Sequence, residues 1–212
     1  MTKVWWLAGA AAGLAAAPAV AQGPGYPALG REEELRLAIS AGPPAVAERA
    51  DVYLMTRDGF ERVIEGDNGW ACIVVRSAAQ RENLAPHCLN PDAAKTVLRA
   101  FLVEGRLQAA GWDAARIGTE LKRQFAAGEL PLPSGPAHAY MLSKGQRVGP
   151  RNTNFRPHFM LYVPYATNAA IGGDLSRPAF PFVGPYENHP LATVVIVMDE
   201  FVDPATVKLP KR

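Results

Sequence analysis

Four histidines are the residues of this chain best suited to chemistry near neutral pH, and two of them belong to a repeated pattern. His138 is followed by Tyr140, and His158 is followed by Tyr162. Spacings of two and four keep both side chains on one face of a β-strand. If the two strands pair suitably, imidazoles and phenols line one wall, which would suit a metal ion or a ligand. The alternative, which we favour, is that these two histidines and two tyrosines are ordinary half-buried strand residues.

The other histidines and a basic connecting segment offer weaker candidates. His87 lies beside a cysteine and His189 precedes a proline, so both are expected in loops. A run of basic side chains, which ends at Arg156, could hold a carboxylate or phosphate through charge-assisted hydrogen bonds, although such runs are more often solvated loops. The basic residues are Lys144, Arg147, Arg151 and Arg156. The candidate ligand-binding residues are therefore His138, Tyr140, Arg156, His158 and Tyr162.

The two cysteines, Cys72 and Cys88, allow one pairing. In an oxidising compartment they are expected to form a disulfide. It would close a loop of about 15 residues, which in the chain-entropy treatment is worth about 3 kcal/mol. Their spacing matches neither C-x-x-C nor a zinc-binding pattern, so a structural bridge is favoured over a redox or metal pair.

Familiar catalytic motifs are absent from the sequence. It contains no G-x-S-x-G, no H-E-x-x-H, no P-loop, no S-x-x-K and no G-x-G-x-x-G after a strand. We therefore expect no cofactor and no bound metal. Whether the protein is an enzyme stays open, with a non-catalytic protein favoured. The enzyme alternative is a hydrolase or metal-dependent enzyme that uses His138 or His158 as a base or metal ligand.

The N-terminus predicts export. Lys3 precedes an apolar run over residues 4–17, and Ala19-Val20-Ala21 forms a small-x-small cleavage site. The run is too short for a comfortable membrane span, so we expect a periplasmic or secreted bacterial protein with no stable membrane insertion after cleavage. The net charge of +2 argues against a nucleic-acid partner.

The elements that must position these residues follow from periodicity and turn residues. A short helix is predicted over residues 31–41. Residues 51–76 alternate as three strands joined by turns at Asp58-Gly59 and at residues 66–69, which predicts a meander with both faces covered because both are apolar. Residues 77–91 are predicted to be a loop tied back by Cys88.

The second half of the chain predicts two helices and three more strands. The helices, at 91–111 and 113–128, are amphipathic, with Asn90 and Asp113 as N-caps, and should form an antiparallel hairpin. The strands are expected within 137–143, 158–163 and 191–201, the last of them central in the sheet. The loop over 164–190 is rich in aromatic residues and suits a lid or a satellite core equally well.

Together these patterns predict an α+β fold with an antiparallel sheet of five to six strands and the helical hairpin packed on one face. The N-terminal helix or the long loop should cover part of the other face. The predicted organisation is a cleaved signal at 1–21, a leader with a short helix at 22–50, a single domain at 51–202 and a C-terminal tail at 203–212.

Several local strings resemble a group of exported bacterial proteins of similar length that have no assigned activity. The strings are Asn68-Gly69-Trp70-Ala71-Cys72, Cys88-Leu89-Asn90-Pro91, Tyr140-Met141-Leu142-Ser143-Lys144, Arg156-Pro157-His158-Phe159-Met160 and Val163-Pro164. The resemblance covers about residues 41–202 and implies a single domain, but it brings no site residues with it. The expected function is non-catalytic binding of a small ligand or of an envelope protein, and a purely structural envelope role is a further alternative.

Overall fold

The computed structural model describes residues 26, 29–148, 154–184 and 186–209. The predicted export signal, its cleavage site and Arg151 lie outside the described residues. Within these ranges no helix is both long enough and apolar enough to cross a membrane.

Six α-helices and eight β-strands form in the described ranges, so the expected α+β class is confirmed. The helices are α1 (Arg31–Ile39), α2 (Pro44–Ala47), α3 (Pro91–Lys95), α4 (Val97–Ala109), α5 (Ala114–Ala126) and α6 (Asn168–Ile171). The strands are β1 (Asp51–Thr56), β2 (Gly59–Ile64), β3 (Ala71–Val75), β4 (Ala85–Leu89), β5 (His138–Met141), β6 (His158–Tyr162), β7 (Phe182–Val183) and β8 (Thr193–Val197).

All eight strands belong to one mixed sheet in the order β2-β1-β3-β4-β5-β6-β8-β7. Seven pairs of neighbours make this order, and β1–β3 is the parallel one. The prediction of a purely antiparallel sheet with five to six strands was therefore wrong. The predicted loop over 77–91 was wrong at β4. Pro86 lies inside this strand, and proline is rare in central strands, so the residue pattern does not indicate a strand there. Strand β7 has two residues, too few to show a period.

The predicted meander over residues 51–76 was also wrong, because β3 pairs with β1 and not with β2. Asp51 lies opposite Ala71 in the parallel pair. The connection crosses the start of β1, where the Gly66 N–H donates to Asp51 Oδ1 at 2.8 Å. A side chain at Gly66 would overlap the Arg49 carbonyl, so glycine permits this crossing. The β1–β2 turn also shifts by one residue, because Thr56 pairs with Gly59.

Both faces of the sheet are covered around β1 and β3, as expected. On one face, Val52, Leu54, Cys72 and Val74 pack in one core with α1. On the other face, Ile73 packs in a second core with residues of α3, α4 and β5. The prediction from residues 51–76 that both faces of these strands are buried is therefore confirmed.

The two predicted helix starts after β4 are confirmed. The Asn90 side chain accepts from the Ala93 N–H at 3.0 Å, and the Asp113 side chain accepts from the Arg116 N–H at 2.8 Å. Helices α4 and α5 share a further core, and α4 lies next to β2 and β3. The helical layer therefore meets the sheet through α4, with α5 packed against it.

The long loop over 164–190 forms a satellite core. Ala166, Val183 and Ala192 make a small buried cluster beneath it. The Asn168 side chain donates to the Val183 carbonyl at 3.1 Å and accepts from the Val183 N–H at 2.7 Å. Strand β8 lies between β6 and β7, but Ile196 is 39 % exposed, so β8 is covered on one face only.

Candidate functional site

The two predicted His–Tyr pairs lie on opposite faces of the sheet. Strands β5 and β6 do pair, with Met141 opposite His158 and Tyr140 opposite Phe159. Residues directly opposite each other share a face. His158 therefore shares its face with Met141 and Tyr162, whereas His138 and Tyr140 point to the other side. The single wall of imidazoles and phenols does not form.

His138 and Tyr140 belong to a partly exposed apolar surface, which we call the open half-face. Helix α1 covers this face of the sheet over β1, β3 and β4. The open half-face is the part of the same sheet face that lies over β5, β6 and β8. It consists of two cross-strand rows, Tyr140–Phe159–Ile196 and His138–Leu161–Val194. Tyr140 itself lies opposite Cys88, so the first row continues from the buried disulfide.

Aromatic contacts order the centre of the open half-face. Trp70 borders it, with its ring within 16° of parallel to that of Tyr140 and the centroids 5.9 Å apart. The Phe159 ring lies 4.8 Å from His138 and 5.3 Å from Tyr140. Four rings hold one another in offset and edge-on arrangements, which are the favourable ones. The surface is therefore preorganised before anything binds to it.

The buried face contains two histidines that the sheet holds in its core. His158 Nδ1 lies 2.8 Å from the Arg156 carbonyl oxygen, and His87 Nδ1 lies 2.8 Å from that of Ala85. A carbonyl only accepts, so each imidazole carries its proton on Nδ1. His87, predicted in a loop, instead belongs to β4 and packs edge-on against Phe101. Nowhere in the described ranges do three or more His, Cys, Asp or Glu side chains converge as metal ligands.

The remaining predicted site residues do not build a site around His158. Burial raises the pKa of Tyr162, so its phenol stays protonated. Arg156 is exposed and contributes its backbone carbonyl to His158 and to Gln146. Lys144, from the same basic segment, pairs with Asp203 at 3.4 Å. The predicted anion clamp in this segment therefore gains no support from its described residues.

Two groups give the protein opposite dependences of stability on pH. Burial holds the pKa of His87 at about 4, against the hydrogen bond to Ala85 and aided by nearby His158. This stability is complete above the ordinary value of 6.5 and is lost as the pH falls towards 4. Burial raises the pKa of Glu104 to about 7, against a hydrogen bond from Gln108. That contribution is present below pH 4.5 and is lost as the pH rises through 7.

We expect the free energy of unfolding of the Glu104→Gln variant to fall by about 2 to 3 kcal/mol from pH 7 to pH 4.5. In this variant the destabilisation by protonation of His87 is no longer offset by protonation of Glu104. His158, whose pKa burial also lowers, adds to the same trend. In the His87→Leu variant the trend should weaken or reverse. Urea denaturation at both pH values measures these changes, and parallel pH profiles for the two variants would contradict the assignment.

A cleft of about 400 Å³ opens between α4, the end of α5 and the β1–β2 turn. Its apolar wall is formed by Phe60, Leu102, Val103 and Leu130. Arg99 and Arg106, seven residues apart on α4, also line the cleft. Two helical turns separate them, so both lie on the same side of the helix. The cleft therefore combines an apolar surface with two guanidinium groups.

The two arginines of the cleft are not neutralised by the acidic residues that line it with them. Its two acidic residues are already paired with arginines outside it, since Asp58 contacts Arg57 at 3.1 Å and Glu129 contacts Arg123 at 2.7 Å. No side chain or carbonyl in the described ranges forms an ion pair or hydrogen bond with Arg99 or Arg106. The two guanidinium groups are therefore available to an anion.

Two glycines fix the shape of the cleft. Gly105 of α4 lies directly beneath the Phe60 ring, where any side chain would overlap the ring. Gly59 has a φ of +119°, and a Cβ there would lie 3.1 Å from the backbone of Arg106. The β1–β2 turn thus rests on the backbone of α4. Phe60 is held at a set position along the helix, beside both arginines.

The sequence contains one signal for these arginines, which both lie outside the buried stripe of α4. Neither has an acidic residue three or four positions away, so neither can form an ion pair within its helix. Two such arginines on one side of a helix are candidates for an external anion. The aromatic wall opposite them comes from β2, and the sequence alone does not place it there.

Comparison with known proteins adds no relative. No family model, no characterised protein and no solved structure matches the chain. The resemblance to exported bacterial proteins stays a prediction, and the function must be inferred from the geometry of the chain itself.

Proposed function

We propose that this chain is an exported, non-catalytic binding protein whose cleft on α4 takes a small amphipathic anion. The observation that carries the proposal is the pair of guanidinium groups, Arg99 and Arg106, which line the cleft with Phe60 and Leu102 and have no partner among the described residues. Export is proposed from the N-terminal signal pattern, and the Cys72–Cys88 disulfide is compatible with an oxidising compartment.

The chemistry of the cleft selects the ligand class. A guanidinium group presents paired N–H donors that match a carboxylate or a phosphate. The apolar wall would bury an aliphatic or aromatic body, and a volume of about 400 Å³ limits that body to a small molecule. A carboxylic acid or phosphate monoester with a short apolar body satisfies both halves of the cleft.

The lining of the cleft favours binding over catalysis. Its two carboxylates, on Asp58 and Glu129, are held in ion pairs, and its described lining includes no histidine, cysteine or serine. A general base or a nucleophile within reach of a bound ligand is what catalysis would need. The hydrolase alternative loses its joint site because His138 and His158 lie on opposite faces of the sheet.

Binding can be measured by thermal shift and calorimetry with octanoate and hexyl phosphate as probes. At 100 times its dissociation constant, a ligand specific for the folded state adds about 2.7 kcal/mol of stability. For a chain of this size, that raises Tm by roughly 5 to 10 °C. We expect one or both probes to do so, and the comparison between them separates carboxylate from phosphate recognition.

The matched probes and variants make the test decisive. Acetate, inorganic phosphate and octanol each carry half of the ligand and should give no shift. Arg99→Gln and Arg106→Gln should each weaken binding by about 10- to 100-fold, since one charge-assisted hydrogen bond is lost. Arg31→Gln removes an equal charge from α1, on the opposite face of the sheet, and should bind normally. Equal binding of octanol, or full binding by the double variant, would overturn the proposal.

A further inference from the structure

We infer that the cleft on α4 selects a linear dicarboxylate, with one carboxylate on Arg99, the other on Arg106 and an apolar chain between them. The inference rests on the proposed binding of a small amphipathic anion and narrows it to ligands with a charge at each end. The observation that carries it is the order of residues along α4. Leu102 and Val103 come between the two arginines, and all four residues line the cleft.

The two arginines are too far apart for one carboxylate. Arg99 and Arg106 belong to the same uninterrupted helix. At about 1.5 Å of rise per residue, positions seven apart lie roughly 10 Å apart along the axis. Side chains on a helix lean towards its N-terminus, so both arginines lean the same way and keep this separation. A single carboxylate is much shorter, so it satisfies one guanidinium group and leaves the other free.

Different elements of the fold place the two arginines at opposite ends of the cleft. The β1–β2 turn lies at Arg106, because a Cβ at Gly59 would be 3.1 Å from the Arg106 backbone. Helices α4 and α5 are joined by a short link, so the end of α5 returns to the start of α4. There Leu130 packs in one core with Ala100, the neighbour of Arg99. A ligand that lies along α4 therefore meets one guanidinium group at each end.

A ligand with a single charge satisfies only half of this arrangement. Its apolar end would lie against the second guanidinium group, which has no counter-charge among the described residues. Water would then be removed from a cation without replacement, which is unfavourable. A second carboxylate at that end instead supplies a charge-assisted hydrogen bond. A monocarboxylate should therefore bind, but more weakly than a dicarboxylate of the same length.

The separation of the arginines sets the length of the ligand. Eight C–C bonds join the two carboxylate carbons of azelate (nonanedioate), and at about 1.5 Å per bond the extended zigzag chain spans roughly 10 Å. Succinate has only three such bonds and is too short to reach both groups. Both carboxylates of either acid are ionised at pH 7. Affinity should therefore rise with chain length from succinate to azelate.

Titration calorimetry at pH 7 tests the inference with azelate and its monomethyl ester, which has the same chain and only one free carboxylate. We expect azelate to bind about 10- to 100-fold more tightly, in a 1:1 complex, because the ester lacks one charge-assisted hydrogen bond. In Arg99→Gln and in Arg106→Gln the two ligands should bind with nearly equal affinity, since one guanidinium group remains. Arg31→Gln removes an equal charge from α1 and should keep the wild-type ratio.

The contrary outcomes separate this inference from the proposed function. If the ester binds through the arginines and azelate binds no more tightly, the inference is overturned and the binding of amphipathic anions stands. If azelate, its ester, octanoate and hexyl phosphate all fail to bind, the proposed function is overturned and the inference with it. A preference for azelate that survives the loss of either arginine would also overturn the inference, because the second carboxylate is then held elsewhere.

Discussion

Replacing Arg76 with Met is expected to lower the free energy of unfolding by about 3 to 5 kcal/mol. Arg76 is 1 % exposed and Glu34 2 % exposed, and Arg76 Nη2 lies 3.0 Å from Glu34 Oε1. Burial lowers the pKa of Arg76 and raises the pKa of Glu34, and each charge opposes that shift in the other. Loss of the guanidinium leaves the buried carboxylate without this counter-charge, which is the costly event.

The cost of Arg76→Met should depend on pH. Without Arg76, burial raises the pKa of Glu34 further, so the folded protein binds a proton that the unfolded chain releases. A group whose pKa is raised on folding contributes stability at low pH and loses it as the pH rises. The deficit of the variant relative to the wild type should therefore be larger at pH 8 than at pH 5. Chemical denaturation at both pH values measures it.

The double variant Glu34→Leu/Arg76→Met supplies the control. With both charges of the pair gone, neither position holds a buried ion, and apolar replacement of such a pair is often neutral. We expect it to recover most of the stability that Arg76→Met loses. Recovery should be incomplete, because Glu34 Oε1 also accepts from the Met55 N–H at 3.4 Å. If the two single effects instead add, the ion pair does not couple these residues.

Removing the disulfide through Cys72→Ala/Cys88→Ala should destabilise the protein by about 3 kcal/mol. The two cysteines lie directly opposite each other on β3 and β4, are fully buried, and are 16 positions apart in sequence. Their bridge restricts the unfolded chain, so most of its effect acts on that state. Guanidinium denaturation should show a lower midpoint for the variant, with a steeper slope because the unfolded chain is less compact without the bridge.

Reductant provides a matched test of the same prediction. Because the bridge is buried, it should be reduced only once the wild-type chain unfolds. Dithiothreitol should therefore lower the denaturation midpoint of the wild type and leave that of the double variant unchanged. A wild-type midpoint that ignores reductant under unfolding conditions would show that the bridge contributes no stability.

Local chemistry made parts of the fold predictable. The N-caps Asn90 and Asp113 were correctly assigned because a cap depends on a side chain and on a backbone N–H three residues later. Strand pairing was less predictable, since an alternating strand shows the same pattern whichever neighbour it has. The parallel pairing of β1 with β3 depends on the crossing at Gly66, which the pattern of residues 51–76 does not reveal.

The same limit explains the misassigned site. The sequence shows that His138 and Tyr140 share a face of their own strand, but not which face of the neighbouring strand joins them. A shift of one residue in the β5–β6 register would place His158 beside Tyr140. The cleft is harder still to predict, because its arginines come from α4 and its aromatic wall from β2.

The strand order leaves two outer strands, and both resist the addition of further strands. Strand β7 has two residues, too short a template for backbone pairing with another molecule. Strand β2 is longer, but it carries Glu61 and Arg62, both exposed, at its centre. Charged side chains on an outer strand discourage growth of a sheet from chain to chain. Both outer strands of the sheet therefore resist fibril formation. Any association between copies would have to use the faces of the sheet.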